Sequence, residues 1–98
     1  MADWKVERTG ELELQLSGAL KFSDITEIRK TVDHLLGEMS GAVSVDFSGV
    51  DRVDSSALSL WLCALRRAEV LGLTLKSVNV PSDMQSIAEL VGLEQCFS

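Results

Sequence analysis

Apolar and polar side chains alternate in two short runs near the start of the chain. Trp4 and Val6 are set against Lys5 and Glu7, then Leu12, Leu14 and Leu16 against Glu13, Gln15 and Ser17. A period of two belongs to strands with one buried face. Arg8-Thr9-Gly10 between the runs predicts a turn, so the segment reads as a β-hairpin that ends at Gly18 and lies at a sheet edge with its leucines inward. The period then changes. Ile25, Ile28, Val32, Leu35 and Leu36 recur at spacings of three and four, which predicts an amphipathic helix over 24–36, capped by Ser23 and stopped by Gly37. Val43, Val45 and Phe47 restore alternation with Ser44, Asp46 and Ser48 until Gly49. A short acidic loop, Val50-Asp51-Arg52-Val53, is expected to follow.

Asp54-Ser55-Ser56-Ala57 opens the longest helix, predicted from Ser55 to Leu71 and closed by Gly72. With roughly 100° between successive side chains, its apolar positions cover an arc of about 200°, with Ser59 and Arg66 opposite. One core contact needs less, so part of the arc is either covered by flanking helices or exposed for a partner. Trp61 fits either use. Leu73 to Ser77 reads as a strand parallel to Val43–Phe47, joined by a right-handed crossover. After the Asn79-Val80-Pro81-Ser82 turn, Ser82 and Gln85 have capping-box spacing, and Met84, Ile87, Ala88 and Val91 form a stripe that stops at Gly92. Leu93 and Phe97 remain to fold back. The order β-β-α-β-α-β-α predicts an α/β fold, one domain over residues 1–98 with helices against a mixed sheet. The strand from Val43 is expected to be central and covered on both faces, leaving Ser44, Asp46 and Ser48 less exposed than their polarity implies.

Charge narrows the partners. A net charge of −6 and a pI near 4.6 argue against nucleic acid, which requires clustered Lys and Arg. No stretch reaches the roughly 20 apolar residues that span a bilayer, and the N-terminus has no apolar run of signal-peptide length, so a cytoplasmic protein is expected. In that compartment Cys63 and Cys96, which form no C-x-x-C pair, are expected as free thiols. His34 is the single histidine and falls opposite the apolar stripe of its helix, which predicts a solvated side chain.

Three carboxylates, Asp46, Asp51 and Asp54, lie near the end of a parallel strand, where α/β folds place active sites and where Mg²⁺ is held. The sequence supplies no Gly-rich phosphate loop and no nucleophile paired with a base. Catalysis is therefore not expected, nor a metal or cofactor. Ser55 carries the more specific signal. At a helix N-terminus free N–H groups and the helix dipole favour negative charge, so a phosphate there is tolerated and adds roughly two charges beside Asp51 and Asp54. The plainer account is that Asp54, Ser55 and Ser56 only start a helix.

The run Val45-Asp46-Phe47-Ser48-Gly49-Val50-Asp51-Arg52-Val53-Asp54-Ser55-Ser56-Ala57-Leu58 resembles the signature of STAS domains, the family of bacterial anti-sigma-factor antagonists and sulfate-transporter tails. The order of elements is similar over nearly the whole chain. In regulatory members the first hydroxyl after the Asp is phosphorylated, which the resemblance places at Ser55, with Ser56 second. Antagonists usually carry Gly after the paired hydroxyls and Gly-Glu-Leu-Asp at the end of the second strand. Here stand Ala57 and Gly18-Ala19-Leu20-Lys21. The compact length, the apolar helix and the Val80-Pro81 turn look closer to the small STAS subunits of Mla phospholipid ABC transporters. That resemblance implies a non-catalytic module that binds and supports an ATPase subunit. The alternative implied partner is an anti-sigma kinase that phosphorylates Ser55. On either, the working surface is expected at Ser55, supported by Asp51, Asp54 and Ser56, and along Ser59, Leu60, Trp61 and Cys63.

Overall fold

The alternating N-terminal runs form an antiparallel pair, β1 (Trp4–Gly10) and β2 (Glu13–Leu20). The computed structural model describes residues 3–97; Met1, Ala2 and Ser98, the ends of the span read as one domain, lie outside the described residues. A 3₁₀ turn (Phe22–Asp24) leads into α1 (Ile25–Leu36), followed by β3 (Ala42–Val53), α2 (Ser55–Leu71), β4 (Thr74–Val78), α3 (Ser82–Leu90) and a second 3₁₀ turn (Glu94–Phe97). The sheet runs β1-β2-β3-β4, with β3 parallel to both β2 and β4. This is the predicted mixed α/β order.

Three turns of chain differ from the expectation, each for a local reason. The hairpin reverses at Glu11 and Leu12, not at Arg8-Thr9-Gly10, because Arg8 donates from Nη2 to the Glu11 carbonyl at 2.7 Å and from Nε to that of Gly10 at 3.2 Å, holding the reversal two residues further on. Leu12 is left 41% exposed in the turn. Gly18 does not end β2. Its φ of +83° suits glycine, and a Cβ there would meet the Asp3 carbonyl oxygen at 2.0 Å, so the residue is a close approach within the strand. Gly49 likewise lies inside β3, which continues through the predicted Val50–Val53 loop. Between Gln15↔Asp46 and Ser17↔Gly49, β2 advances two residues and β3 three, a bulge that brings Gly49 against Ser17, where a Cβ would sit 2.7 Å from the serine Cβ.

Helix starts also depart from the local signals. Asp24, not Ser23, stands at the N-cap position of α1, and Pro81, not Ser82, at that of α3; neither forms a side-chain cap. The Ser82–Gln85 box does not form, since Gln85 Nε2 turns to the Val80 carbonyl at 3.4 Å.

All three helices lie on one face. Leu14, Leu16, Val43, Val45 and Phe47 from the sheet meet Ile28, Val32 and Leu36 of α1, Ala57, Leu60, Trp61, Ala64 and Ala68 of α2, and Met84 of α3. The opposite face of the sheet is a polar surface. Register aligns Lys5 with Ser17, Glu13 with Ser44, Gln15 with Asp46, and Ser44 with Lys76. Thus β3 is central, as expected, but covered on one face only: Ser44 and Asp46 are half-buried and Ser48 is exposed. Rows of polar side chains across every strand give a second apolar layer nothing to bury.

The wide arc of α2 is resolved by neighbours on two sides, α1 and α3, in addition to the sheet beneath. Leu60 and Trp61 are 3% and 2% exposed, so the expectation that they lie on a free interface is corrected: both belong to the core. Trp61 meets Phe47 edge-on at 5.5 Å, stacks on Phe97 at 6.0 Å and donates from Nε1 to the Cys96 carbonyl at 2.8 Å. The C-terminal tail is pinned by this side chain and by the Ser77 hydroxyl, which donates to the Phe97 carbonyl at 3.3 Å, with Leu93 still 40% exposed. Cys63 and Cys96 are free and half-buried; burial pushes the Cys96 thiol up. His34 is exposed.

Candidate functional site

Asp54 is the last extended residue before α2 and its N-cap. One carboxylate oxygen, Oδ1, accepts from the Ser56 N–H at 2.9 Å and from the Ser56 hydroxyl; the other, Oδ2, accepts from the Phe22 N–H at 2.9 Å. The Asp54 N–H itself donates to the Leu20 carbonyl at 3.3 Å. One aspartate therefore ties together the end of β2, the 3₁₀ turn before α1 and the first turn of α2. Its donors hold the carboxyl below the usual carboxylate range, the Ser56 hydroxyl first, against the opposing effect of desolvation.

This division of labour separates the two hydroxyls. Ser56 is buried at 8% and fully engaged by Asp54. Ser55 occupies the first helical position, is exposed, and its hydroxyl has no partner among the described residues. It borders a groove of about 540 Å³ whose walls are mostly apolar: Phe22 and Ile25 before and on α1, Leu58 and Leu62 on α2, Ile87 and Val91 on α3. Ser59, exposed one turn further along, borders the same groove. Phe22 is 79% and Val91 60% exposed, so this is uncovered apolar surface beside a free hydroxyl.

A family model described as "Mlab, STAS domain" matches residues 4–97. The chain belongs to the STAS domain family. No curated protein matches it. Among solved structures, the unphosphorylated anti-sigma factor antagonist SpoIIAA is similar with a TM-score of 0.72 and 17% identity, covering 94% of this chain and 83% of that one. The Bacillus cell fate determinant SpoIIAA in its phosphorylated form gives 0.69 and 19%, covering 94% and 86%. The Mglu crystal structure gives 0.57 and 22%, covering 79% of this chain and 19% of that one. At these identities the likeness is one of fold.

Within this STAS domain the expected site residues do not all come together. Ser55, Ser56 and Ser59 share the apolar groove. Asp51 is exposed and lines a separate polar groove with Asp3 and Lys21, while Cys63 lies further along α2 beside arginines. Asp46 is on the polar face of the sheet, where the Ser48 N–H at 2.8 Å and the Asn79 amide at 3.1 Å hold its carboxyl below the usual range. Among the described residues no three His, Cys, Asp or Glu side chains form a metal-holding group, so Asp46, Asp51 and Asp54 are not assembled for Mg²⁺. The groove walls Phe22, Ile25, Leu62, Ile87 and Val91 were not expected as site residues. The sequence signal for Phe22 was its place three residues before Ile25, in step with the helical stripe but ahead of the predicted helix start.

Removing the Asp54 tie has a pH signature. Because its folded carboxyl is shifted down, its contribution is present above the ordinary carboxylate value near 4 and is lost as pH falls through the lower folded value. Asp54→Ala should cost about 1 to 2 kcal/mol at neutral pH, as loss of an N-cap does. In thermal melts the gap between wild type and Asp54→Ala should shrink as pH drops below about 4. A gap independent of pH would show that the carboxylate charge plays no part.

Proposed function

We propose that this STAS domain is a non-catalytic binding module, the accessory subunit that binds and supports the ATPase of a phospholipid-transport ABC complex. The observation that carries the reading is the match of a Mlab STAS model over residues 4–97. Ala57 and the Ala19-Leu20-Lys21 run, where antagonists usually have Gly and acidic residues, support it further. The partner-facing surface is the groove at the start of α2, with Ser55 and Ser59 on its rim and Phe22, Leu62 and Val91 in its walls. Burying the exposed Phe22 and Val91 together with the half-buried Leu62 supplies affinity, and hydroxyls beside them fix the register of the partner. No described helix is long and apolar enough to cross a membrane. On this reading the domain works in the cytoplasm and reaches the inner membrane only through its partner.

A second reading, an anti-sigma-factor antagonist switched by phosphorylation of Ser55, is favoured by one specific observation: the free hydroxyl at the N-terminus of α2 in a fold like that of SpoIIAA. Purifying the tagged chain from its native cell distinguishes the two. The expected result is an ABC-type ATPase recovered in equal amount, whose ATP hydrolysis rises when the purified chain is added back. Recovery of a GHKL-type kinase that transfers phosphate to Ser55 would overturn the first reading in favour of the second.

A further inference from the structure

Between α1 and α2, on a part of the surface distinct from the Ser55 groove, lies a cleft of about 280 Å³ lined by Arg29, Asp33, Cys63, Arg66, Arg67 and Val70. Three of the chain's five arginines meet there, in a protein of net charge −6. Arg29 faces Asp33 one helical turn away at 3.9 Å, the outer limit of an ion pair. Arg66 and Arg67 have no hydrogen-bond or ion-pair partner among the described residues. Arg67 is half-buried, and its Nε is closed off from solvent with nothing to donate to. Holding a guanidinium partly out of water without an anion is costly, and proteins normally supply one. The chain has 15 carboxylate side chains and sets none against Arg67.

We infer that this cleft binds a phosphate group carried on a small organic molecule. An anion seated there would engage the guanidinium donors that remain open on Arg66 and Arg67 and offset the burial of the latter. The planar fork of arginine matches phosphate oxygens two at a time. Three guanidinium charges less the Asp33 carboxylate leave +2 in the cleft, the complement of a phosphate monoester of about −1.5 to −2. Its volume is near the lower end of small-ligand clefts, about 300 to 1,000 Å³, and suits a small molecule better than a protein segment. Asp33 is placed to accept from a ligand hydroxyl, and Val70, 75% exposed, offers an apolar wall. A soluble phosphate ester and a lipid headgroup share this chemistry. The inference stands independently of the ATPase reading.

The test is nuclear magnetic resonance titration of the ¹⁵N-labelled chain with glycerol 3-phosphate, alongside sedimentation with phosphatidylcholine vesicles that contain phosphatidic acid. Saturable shifts are expected in segments 29–33 and 63–70, with a Kd of about 1 mM or tighter at low salt. Arg66→Gln should weaken binding about tenfold, the loss of one charge-assisted contact. Arg52→Gln, exposed near the end of β3, should leave it unchanged. Arg66 is exposed, so its variant keeps the fold, which a thermal melt verifies; Arg67→Gln extends the series if it too folds. Saturable binding of glycerol 3-phosphate alone assigns a soluble ester, and vesicle binding lost in Arg66→Gln assigns a headgroup. Shifts that never saturate, or saturable binding that Arg66→Gln leaves unchanged, would overturn the inference.

Discussion

Replacing Trp61 with alanine is expected to lower the melting temperature by at least about 12 °C. A buried Trp→Ala change costs about 3 to 5 kcal/mol through lost transfer free energy and the cavity left behind. In a domain of this length each kcal/mol moves the melt by about 4 to 8 °C. The indole is 2% exposed, touches Phe47 and Phe97, and supplies the hydrogen bond that occupies the Cys96 carbonyl. Truncation therefore leaves a cavity between sheet and tail, and it strands a carbonyl. Because total stability is only about 5 to 15 kcal/mol, a substantial unfolded fraction at room temperature is within reach. Trp61→Phe separates the two effects. It keeps most ring packing but loses the Nε1 donor, a bond worth about 1 kcal/mol, and should free the Glu94–Phe97 turn more than the core. Circular dichroism melts measure the first effect and amide exchange in the tail the second. A Trp61→Ala melt within a few degrees of wild type would show that the tail and Phe47 do not depend on this ring.

The hydrophobic period carried most of the fold, because burial is paid out residue by residue along each element and leaves its spacing in the chain. Alternation at Val43, Val45 and Phe47 and the three-four spacing from Ile25 to Leu36 are direct images of which side faces the core. What local reading missed depends on contacts distant in sequence. Gly49 looks like a stop until Ser17 is placed opposite it, and Gly18 until Asp3 crosses above it. Ser23 and Ser82 have capping chemistry, yet the chain enters α1 and α3 along paths that leave them unused. The arc of α2 announced more than one neighbour or an open patch without saying which residues each would take, so Leu60 and Trp61 read as candidates for a surface that α1, α3 and the sheet in fact close. At the site, Asp54 and the serines were legible as a helix start. The groove beside them was not, since its walls come from three separate helical regions. Nor could the sequence divide the hydroxyls between Ser56, which is held, and Ser55, which is free.

That division sets the outcome expected for Ser55→Glu: partner binding weakened by at least about tenfold, with the isolated domain melting at or slightly above the wild-type temperature. Ser55 makes no hydrogen bond with its side chain, so nothing in the fold is lost by replacing it. A carboxylate on the first turn of α2 gains about 0.3 to 1 kcal/mol from the helix dipole, partly opposed by the ionised Asp54 next to it. At a closed interface the balance reverses. The added charge would have to leave water between Asp54 and the apolar walls formed by Phe22, Leu58 and Leu62, and an unpaired charge buried in this way costs about 2 to 5 kcal/mol. Even the lower figure exceeds the 1.4 kcal/mol or so that corresponds to a tenfold change in affinity. Ser55→Ala should leave stability nearly unchanged, since Asp54 and not Ser55 supplies the cap, and should weaken binding only if the partner bonds the hydroxyl. Titration calorimetry against the ATPase recovered with the chain, beside melts of all three proteins, reads both quantities. Equal affinity for wild type and Ser55→Glu would remove the start of α2 from the partner-facing surface, because a partner that closes over Phe22, Leu58 and Leu62 also takes the Ser55 position out of water.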